Sequence, residues 1–287
     1  MILWSSELVS DLARCRTVLF LGSGISRNST SAIGRQPKTW VEFLKSIAQD
    51  VNPNRHINAL IREKDYLTAC EVLKNTLGRE AFHQRLRDEY LIPGYRHALI
   101  HAHIFRLDSR IVATPNFDKI YETYANHSAG SSIIVKHHYD PDTAEAIRGT
   151  ERVILKIHGT IDSPNRMIFT RKEYAKAREE FRGFFSLLEA LALTHTFLFL
   201  GCGVNDPDTR LLLEDTFFRH PSSKPHVFVL PIEGLHNSIR AVLQDSMNLV
   251  ILTYKAMHDH KELTDSLEQL VVLVESERDN LRRNGNW

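Results

Sequence analysis

Short apolar runs recur along the chain, and a glycine or a cluster of polar residues closes nearly every one. Seven of them read as strands: TVLFLG (17–22), RIVAT (110–114), SIIVK (132–136), RVILKIHG (152–159), TFLFLG (196–201), HVFVL (226–230) and LVILTY (249–254). Runs of branched and aromatic residues with little polar alternation describe strands buried on both faces. Helical patterns lie between most of them. Strands that alternate with helices predict an α/β fold, a Rossmann-like doubly wound parallel sheet. The interval from about 35 to 108 is the exception: it holds helical stretches such as TWVEFLKSIAQDV and DYLTACEVLKNTLG but no convincing strand. A small helical insertion subdomain after the first strand–helix unit accounts for it. The start of the chain, MILWSSELVSDLARCR, sets Leu8 and Leu12 one helical turn apart. At the other end, about 261–283, Leu263, Leu267, Leu270 and Val274 share one helix face, which predicts packing on the core or a partner surface. No repeat or linker divides the chain, so 1–287 reads as one domain carrying an insertion and a C-terminal helix.

Composition narrows the function classes. A formal net charge of +1 offers no electrostatic reason to expect direct nucleic-acid binding. No apolar run approaches the roughly 18 residues of a membrane span, and the first residues lack the basic start and cleavage site of a signal peptide. The expected location is cytoplasmic, with no membrane partner. Three cysteines, Cys15, Cys70 and Cys202, lie far apart and form no C-x-x-C pair, so neither a zinc ribbon nor a disulfide framework is expected. HALIHAHIF places His97 and His101 at i, i+4 on a predicted helix, with His103 beyond. The glutamate of an H-E-x-x-H zinc motif is missing, which favours surface or core histidines over a metal site. The pattern leaves the roles of all three open.

Open parallel sheets bind ligands outside the carboxyl ends of their strands, which makes the residues after each strand the candidates for chemistry. Four clusters stand there. Gly22-Ser23-Gly24-Ile25-Ser26 follows the first strand and reads as a turn into a helix, where glycine lets backbone N–H groups approach a phosphate. It lacks the Gly-Lys-Ser/Thr ending of a P-loop. It also lacks the strand-end acid about 20 positions on that a dehydrogenase uses to hold a ribose. In ATPNFDKIYE, Thr114, Asn116 and Asp118 alternate with Pro115 and Phe117 ahead of a helix that Asp118 is placed to cap. Asn116 is placed to orient a ribose hydroxyl and a water. In LKIHGTID, His158 ends a strand beside Gly159, placed to exchange protons near neutral pH. In FLFLGCGVNDPD, Gly201-Cys202-Gly203 leads to Asn205-Asp206-Pro207 at a helix start.

Together and in this order, GSGIS, TPNFD, KIHG and LGCGVNDPD resemble the glycine loop, T-x-N-x-D motif, histidine–glycine strand end and later glycine/D-P turn of the SIR2 (sirtuin-like) family of NAD-binding proteins. Ser23 stands where that loop carries alanine. The resemblance spans roughly residues 15 to 270 and is closer to bacterial SIR2-like domains than to protein deacylases. The deacylases carry a four-cysteine zinc module, and two of the three cysteines here lie outside the insertion. IFTRKEY (168–174) and DYLTACEVLKNTLG also resemble segments that recur in zinc-less relatives, anti-phage defence enzymes that hydrolyse NAD⁺.

The resemblance implies cleavage of the nicotinamide–ribose bond of NAD⁺, with NAD as substrate and no zinc. It assigns catalysis to Asn116 and His158. Asp118 would help hold the ribose and nicotinamide side, Gly22, Ser23, Gly24 and Ser26 the diphosphate, and Gly201, Cys202, Asn205 and Asp206 the adenosine side, with Thr114 also among the cofactor-binding residues. An NAD- or ADP-ribose-binding regulatory module without turnover, and an ADP-ribosyl transferase or deacylase, stay open as alternatives. Little chain remains outside the domain for a sensor, so regulation is expected from self-assembly into a homo-oligomer or from a partner such as a HerA-type ATPase.

Overall fold

The computed structural model describes residues 1–130, 133–203, 213, 220, 223–233 and 235–285. All seven apolar runs become strands: β1 Thr17–Leu21, β2 Ile111–Thr114, β3 Ile134–His137, β4 Val153–Lys156, β5 Thr196–Leu200, β6 His226–Pro231 and β7 Leu249–Tyr254. They form a single sheet in the order β3-β4-β2-β1-β5-β6-β7, parallel throughout. β1 is central, with Phe20 opposite Ala113 on one side and Phe199 on the other.

The unbroken apolar runs follow from burial on two faces, because successive side chains of a strand point to opposite sides. Leu19, Leu21, Val112, Ile154, Leu198 and Leu200 enter one core. That core is closed by α1 (Ser6–Ala13), α7 (Leu99–Arg106), α8 (Ile120–Ala129) and α13 (Met257–Arg283). Val18, Phe20, Ile111, Val153, Phe197 and Phe199 enter the other, against α9 (Thr143–Arg148), α11 (Arg182–Thr194) and α12 (Asn237–Met247). The sheet is doubly wound, as its strand–helix alternation predicts.

Leu263, Leu267, Leu270 and Val274 are all buried in the first core, so the C-terminal helix packs inward. It becomes regular only after left-handed backbone at His258, Asp259 and His260. Trp4 Nε1 donates to the Ser266 carbonyl at 2.9 Å, and the Arg278 guanidinium donates to the carbonyls of Leu12 and Leu107 at 3.2 and 2.9 Å. The amphipathic first helix is thereby clasped to the last.

The interval between β1 and β2 divides in two. α3 (Trp40–Ala48), α4 (Arg55–Arg62), α5 (Tyr66–Leu77) and α6 (Arg79–Tyr90) share a core of their own. α7 packs on the sheet, because Ile100 and Ile104 belong to the first core. The helical unit also swallows two aromatic side chains from the strand-end loops, Phe117 and Phe169, whose rings lie 4.8 Å apart. Tyr90 meets Phe117 edge-on at 4.8 Å, and Trp40 stacks on Phe169 at 5.0 Å.

Candidate active site

From β1 the chain winds through β2, β3 and β4 in one direction, and from β5 through β6 and β7 in the other. The reversal lies between β1 and β5, where open α/β sheets take ligands. The predicted clusters meet at this end.

The turn after β1 becomes α2 (Ser23–Ser26), a single turn of helix. The N–H of Gly22 donates to the Leu200 carbonyl at 2.9 Å and that of Gly24 to the Gly201 carbonyl at 3.0 Å. Both donors are spent inside the chain, so the two glycines contribute close approach rather than N–H groups for a diphosphate. A Cβ on Gly22 would collide with the Gly201 carbonyl and sit 2.8 Å from the Cys202 Cα; on Gly24 it would meet the Gly201 carbonyl at 2.9 Å. Gly201 has φ +65°, left-handed backbone that favours glycine. Two turns therefore pack backbone on backbone. Cys202 follows, its Sγ 3.5 Å from the Leu200 carbonyl. Asn205 and Asp206, the remaining members of this cluster, lie outside the described residues.

The segment after β2 is built from side chains instead. Thr114 Oγ1 donates to the Leu21 carbonyl at 2.6 Å and accepts the Asn116 N–H at 3.1 Å. Asn116 Nδ2 donates to the Gly22 carbonyl at 2.9 Å and to Ser26 Oγ at 3.2 Å. Ser26 in turn donates to Asp118 Oδ2 at 2.7 Å, and Asp118 Oδ1 accepts the Ile120 N–H at 3.0 Å, capping α8. The alternation in TPNFD has its reason here: Thr114, Asn116 and Asp118 address the β1 turn, while Phe117 enters the helical core. With its amide N–H groups engaged, Asn116 presents its carbonyl oxygen as the group for a ligand.

β4 stops at Lys156, so His158 stands in the turn beyond the strand rather than at its end. That turn runs beside the β2 segment: Ile157 N–H donates to the Thr114 carbonyl and Ile161 N–H to the Phe117 carbonyl, both at 2.9 Å. His158 is buried. Its Nε2 lies 2.8 Å from the Tyr174 hydroxyl, and its carbonyl accepts the Ile168 N–H at 3.1 Å. Gly159 has φ +84°, and a Cβ there would press on the Arg166 carbonyl at 3.0 Å. Behind the turn, His138 is buried; desolvation first, then the neighbouring His158 ring, pushes its imidazole down to about 4, so it is neutral at pH 7.

Lys156 and Glu122 escaped the motif reading. Lys156 is 2% exposed, with Nζ 3.1 Å from Glu122 Oε2 and donating to the Asp118 carbonyl. The ion pair bolts α8 and the Asp118 turn to β4. A lysine interrupting the apolar run RVILKIHG was the available signal, since a charge inside a buried strand requires a partner. Tyr174 and Ile168 sit in IFTRKEY, which the sequence flags without a role.

The histidine pair on the predicted helix does not face one metal. α7 begins at Leu99, leaving His97 ahead of it with its ring 4.2 Å from that of Tyr124 and tilted by 36°. His101 is fully buried; its Nδ1 accepts the Ala98 N–H at 3.0 Å, and burial pushes its imidazole down to about 4. His103 is buried on the same helix. Among the described residues no group of three His, Cys, Asp or Glu side chains is arranged to hold a metal ion, and no helix is long and apolar enough to cross a membrane.

A family model described as SIR2-like domain matches residues 110–252, from the edge of β2 into β7. The chain is 24% identical over 211 residues to the NAD(+) hydrolase ThsA of Acinetobacter baumannii, covering 72% of this chain and 40% of that protein. It is 24% identical over 219 residues to the enzyme of the same name from Enterococcus faecium, covering 74% and 42%. Defense-associated sirtuin 2 of Bacillus subtilis is 21% identical over 210 residues, covering 72% and 20%. The chain thus spans about two-fifths of the length of the hydrolases it matches. A solved Sir2 enzyme structure aligns over 94% of this chain and 97% of its own at 14% identity, with a TM-score of 0.47. The stretch matched by the SIR2-like model takes in the segments that hold Asn116 and His158.

Proposed function

We propose that the chain is an NAD⁺ glycohydrolase, cleaving the nicotinamide–ribose bond and depleting NAD⁺ in anti-phage defence. The observation that carries this reading is the polar lattice at the carboxyl ends of β1, β2 and β4. Asn116 ties the first glycine turn to Ser26 and Asp118, and the His158 turn runs alongside. Relatives named as NAD(+) hydrolases support the same reaction.

The chemistry suits such a site. Nicotinamide leaves as a neutral molecule, so the barrier lies in positive charge gathering on the ribose in an oxocarbenium-like transition state, as in glycoside hydrolysis. Orientation and electrostatics do more here than a strong acid. Asn116 Oδ1 orients a ribose hydroxyl and the attacking water, and His158 accepts the proton as general base. The Asp118 carboxylate, bonded to Ser26, sets negative charge on the ribose side. The close-packed turns of Gly22, Ser23, Gly24 and Gly201-Cys202 shape the diphosphate and adenosine side, with Ser23 supplying a hydroxyl while that of Ser26 is engaged by Asp118.

The reading places the chain in the cytoplasm with the NAD⁺ pool. It assigns control to self-assembly or to a partner such as a HerA-type ATPase, since an unregulated hydrolase would kill its own host. Nicotinamide release from NAD⁺ by the full chain, alone and with a candidate ATPase, tests the proposal. Release that disappears in both Asn116→Ala and His158→Ala is the expected result. NAD⁺ binding without release under both conditions overturns it in favour of a binding module.

A further inference from the structure

Tyr174 and the helix that carries it have no part in the reaction as described. α10 (Arg171–Glu180) starts at Thr170, whose hydroxyl accepts the Glu173 N–H at 3.2 Å, while Glu173 Oε2 accepts the Thr170 N–H at 3.0 Å. This reciprocal cap fixes the first turn. The same turn is gripped from outside by α5 of the helical unit. Arg171 reaches Asp65 at 2.7 Å and Thr68 at 3.0 Å, the Lys172 N–H reaches Glu71 at 3.1 Å, and Glu173 pairs with Lys74. Three consecutive residues are thus tied to one helix, and the fourth, Tyr174, turns inward to His158. IFTRKEY and DYLTACEVLKNTLG, set apart in the sequence as separate recurring segments, are each other's partners.

We propose that Tyr174 is a positioning residue for His158: its phenol holds Nε2 and restricts the imidazole to one tautomer and one ring orientation, anchored through α10 to the helical unit. This rests on the reading of His158 as the proton acceptor. The hydroxyl is 2.8 Å from Nε2 and the rings meet edge to face at 5.2 Å and 76°, so hydrogen bond and packing constrain the same torsion. The hydrogen bond at one ring nitrogen of a histidine decides which nitrogen carries the proton. A ring that accepts a proton at Nδ1 must carry its hydrogen on Nε2 and donate it to the phenol oxygen, so the contact selects the Nε2–H tautomer. Ile168, from the same segment, holds the His158 carbonyl, so ring and backbone are gripped together.

The test is Tyr174→Phe, which keeps the ring and removes only the hydroxyl. ¹⁵N-resolved imidazole spectra of the full chain at mildly alkaline pH, with the His158 signals assigned by their loss in His158→Ala, report the tautomer directly. The expected result is the Nε2–H tautomer in the wild type and an exchange-averaged mixture in Tyr174→Phe. In parallel, kcat for nicotinamide release should fall about tenfold, a part of the roughly 10²–10⁴-fold a general base supplies, with KM for NAD⁺ changed less than about twofold. An unchanged tautomer in Tyr174→Phe, or a mixture or the Nδ1–H form in the wild type, overturns the proposal. A tautomer shift in a chain that releases no nicotinamide, alone or with the candidate ATPase, upholds the positioning role and sinks the hydrolase reading instead.

Discussion

The two flanks of β1 look alike in sequence, an apolar run ending in glycine or polar residues, yet they are built from different material. Towards β2 and β4 the join is made by side chains: Thr114, Asn116, Ser26 and Asp118 pass hydrogen bonds from one strand end to the next. Towards β5 it is made by backbone, with Gly22 and Gly24 pressed on Gly201. On that flank the His158 turn is also held by backbone, Ile157 N–H on the Thr114 carbonyl and Ile161 N–H on the Phe117 carbonyl, which spares the imidazole for chemistry. Where backbone lies on backbone, no side chain can be added and none is needed. The polar flank should therefore answer substitution in turnover, and the glycine flank in stability.

The sharpest way to break this contrast is His158→Ala. Turnover of NAD⁺ should fall roughly 10²–10⁴-fold, while the melting temperature moves by no more than the few degrees that about 1 kcal/mol produces. If thermal unfolding accounts for the loss, the contrast fails. Lys156→Met probes the exception, a residue on the polar flank whose work is structural. Leaving the Glu122 carboxylate buried without its cation should cost about 3–5 kcal/mol in urea unfolding, and Lys156→Met/Glu122→Leu should recover most of it.

Acid tests both flanks at once. His101, His138 and His226 are buried, and desolvation pushes each down to about 4, against an ordinary value of 6.5. Below pH 6.5 the unfolded chain binds protons that the fold refuses, so stability is full above that pH and is lost as pH falls from 6.5 towards 4, by up to about 3 kcal/mol per histidine. Denaturant midpoints measured across that window check the slope, and His226→Gln should shallow it. A flat profile would mean that these imidazoles are hydrated.

The smallest effect belongs to the glycine flank. Gly22→Ala should destabilise by about 1–3 kcal/mol, as overpacking does, with turnover per folded molecule reduced far less than in His158→Ala. A large loss of turnover at unchanged stability would instead give the glycine a direct role at the ligand.

The inner strands were legible because burial on both faces gives them apolar runs with a glycine or polar stop, and the half-buried edges β3 and β7 kept enough branched residues to be read as well. Pairing order was not, since β1 touches only partners distant along the chain. Candidate residues at strand ends were legible by type and order. What each does to its neighbours was not: nothing local says that Gly24 N–H is consumed by Gly201, that Phe117 belongs to another core, or that Tyr174 meets His158. His97 was misread as helical because its periodicity with His101 continues past the true helix start, where the His101 ring supplies the cap. Lys156 and Glu122 went unnoticed because a lone charge shows its partner only once both are buried.

The central place of β1 also has a consequence in time. A growing chain emerges N-terminus first, so β1 is the earliest strand made, yet its β2 edge waits for residues 111–113 and its β5 edge for residues 196–200. Contacts of such separation slow folding, because the intervening loop must be closed before they are rewarded. The glycine turn acquires its packing partner only with Gly201. During synthesis the chain therefore carries its oldest strand half-paired until more than two-thirds of its length has been translated.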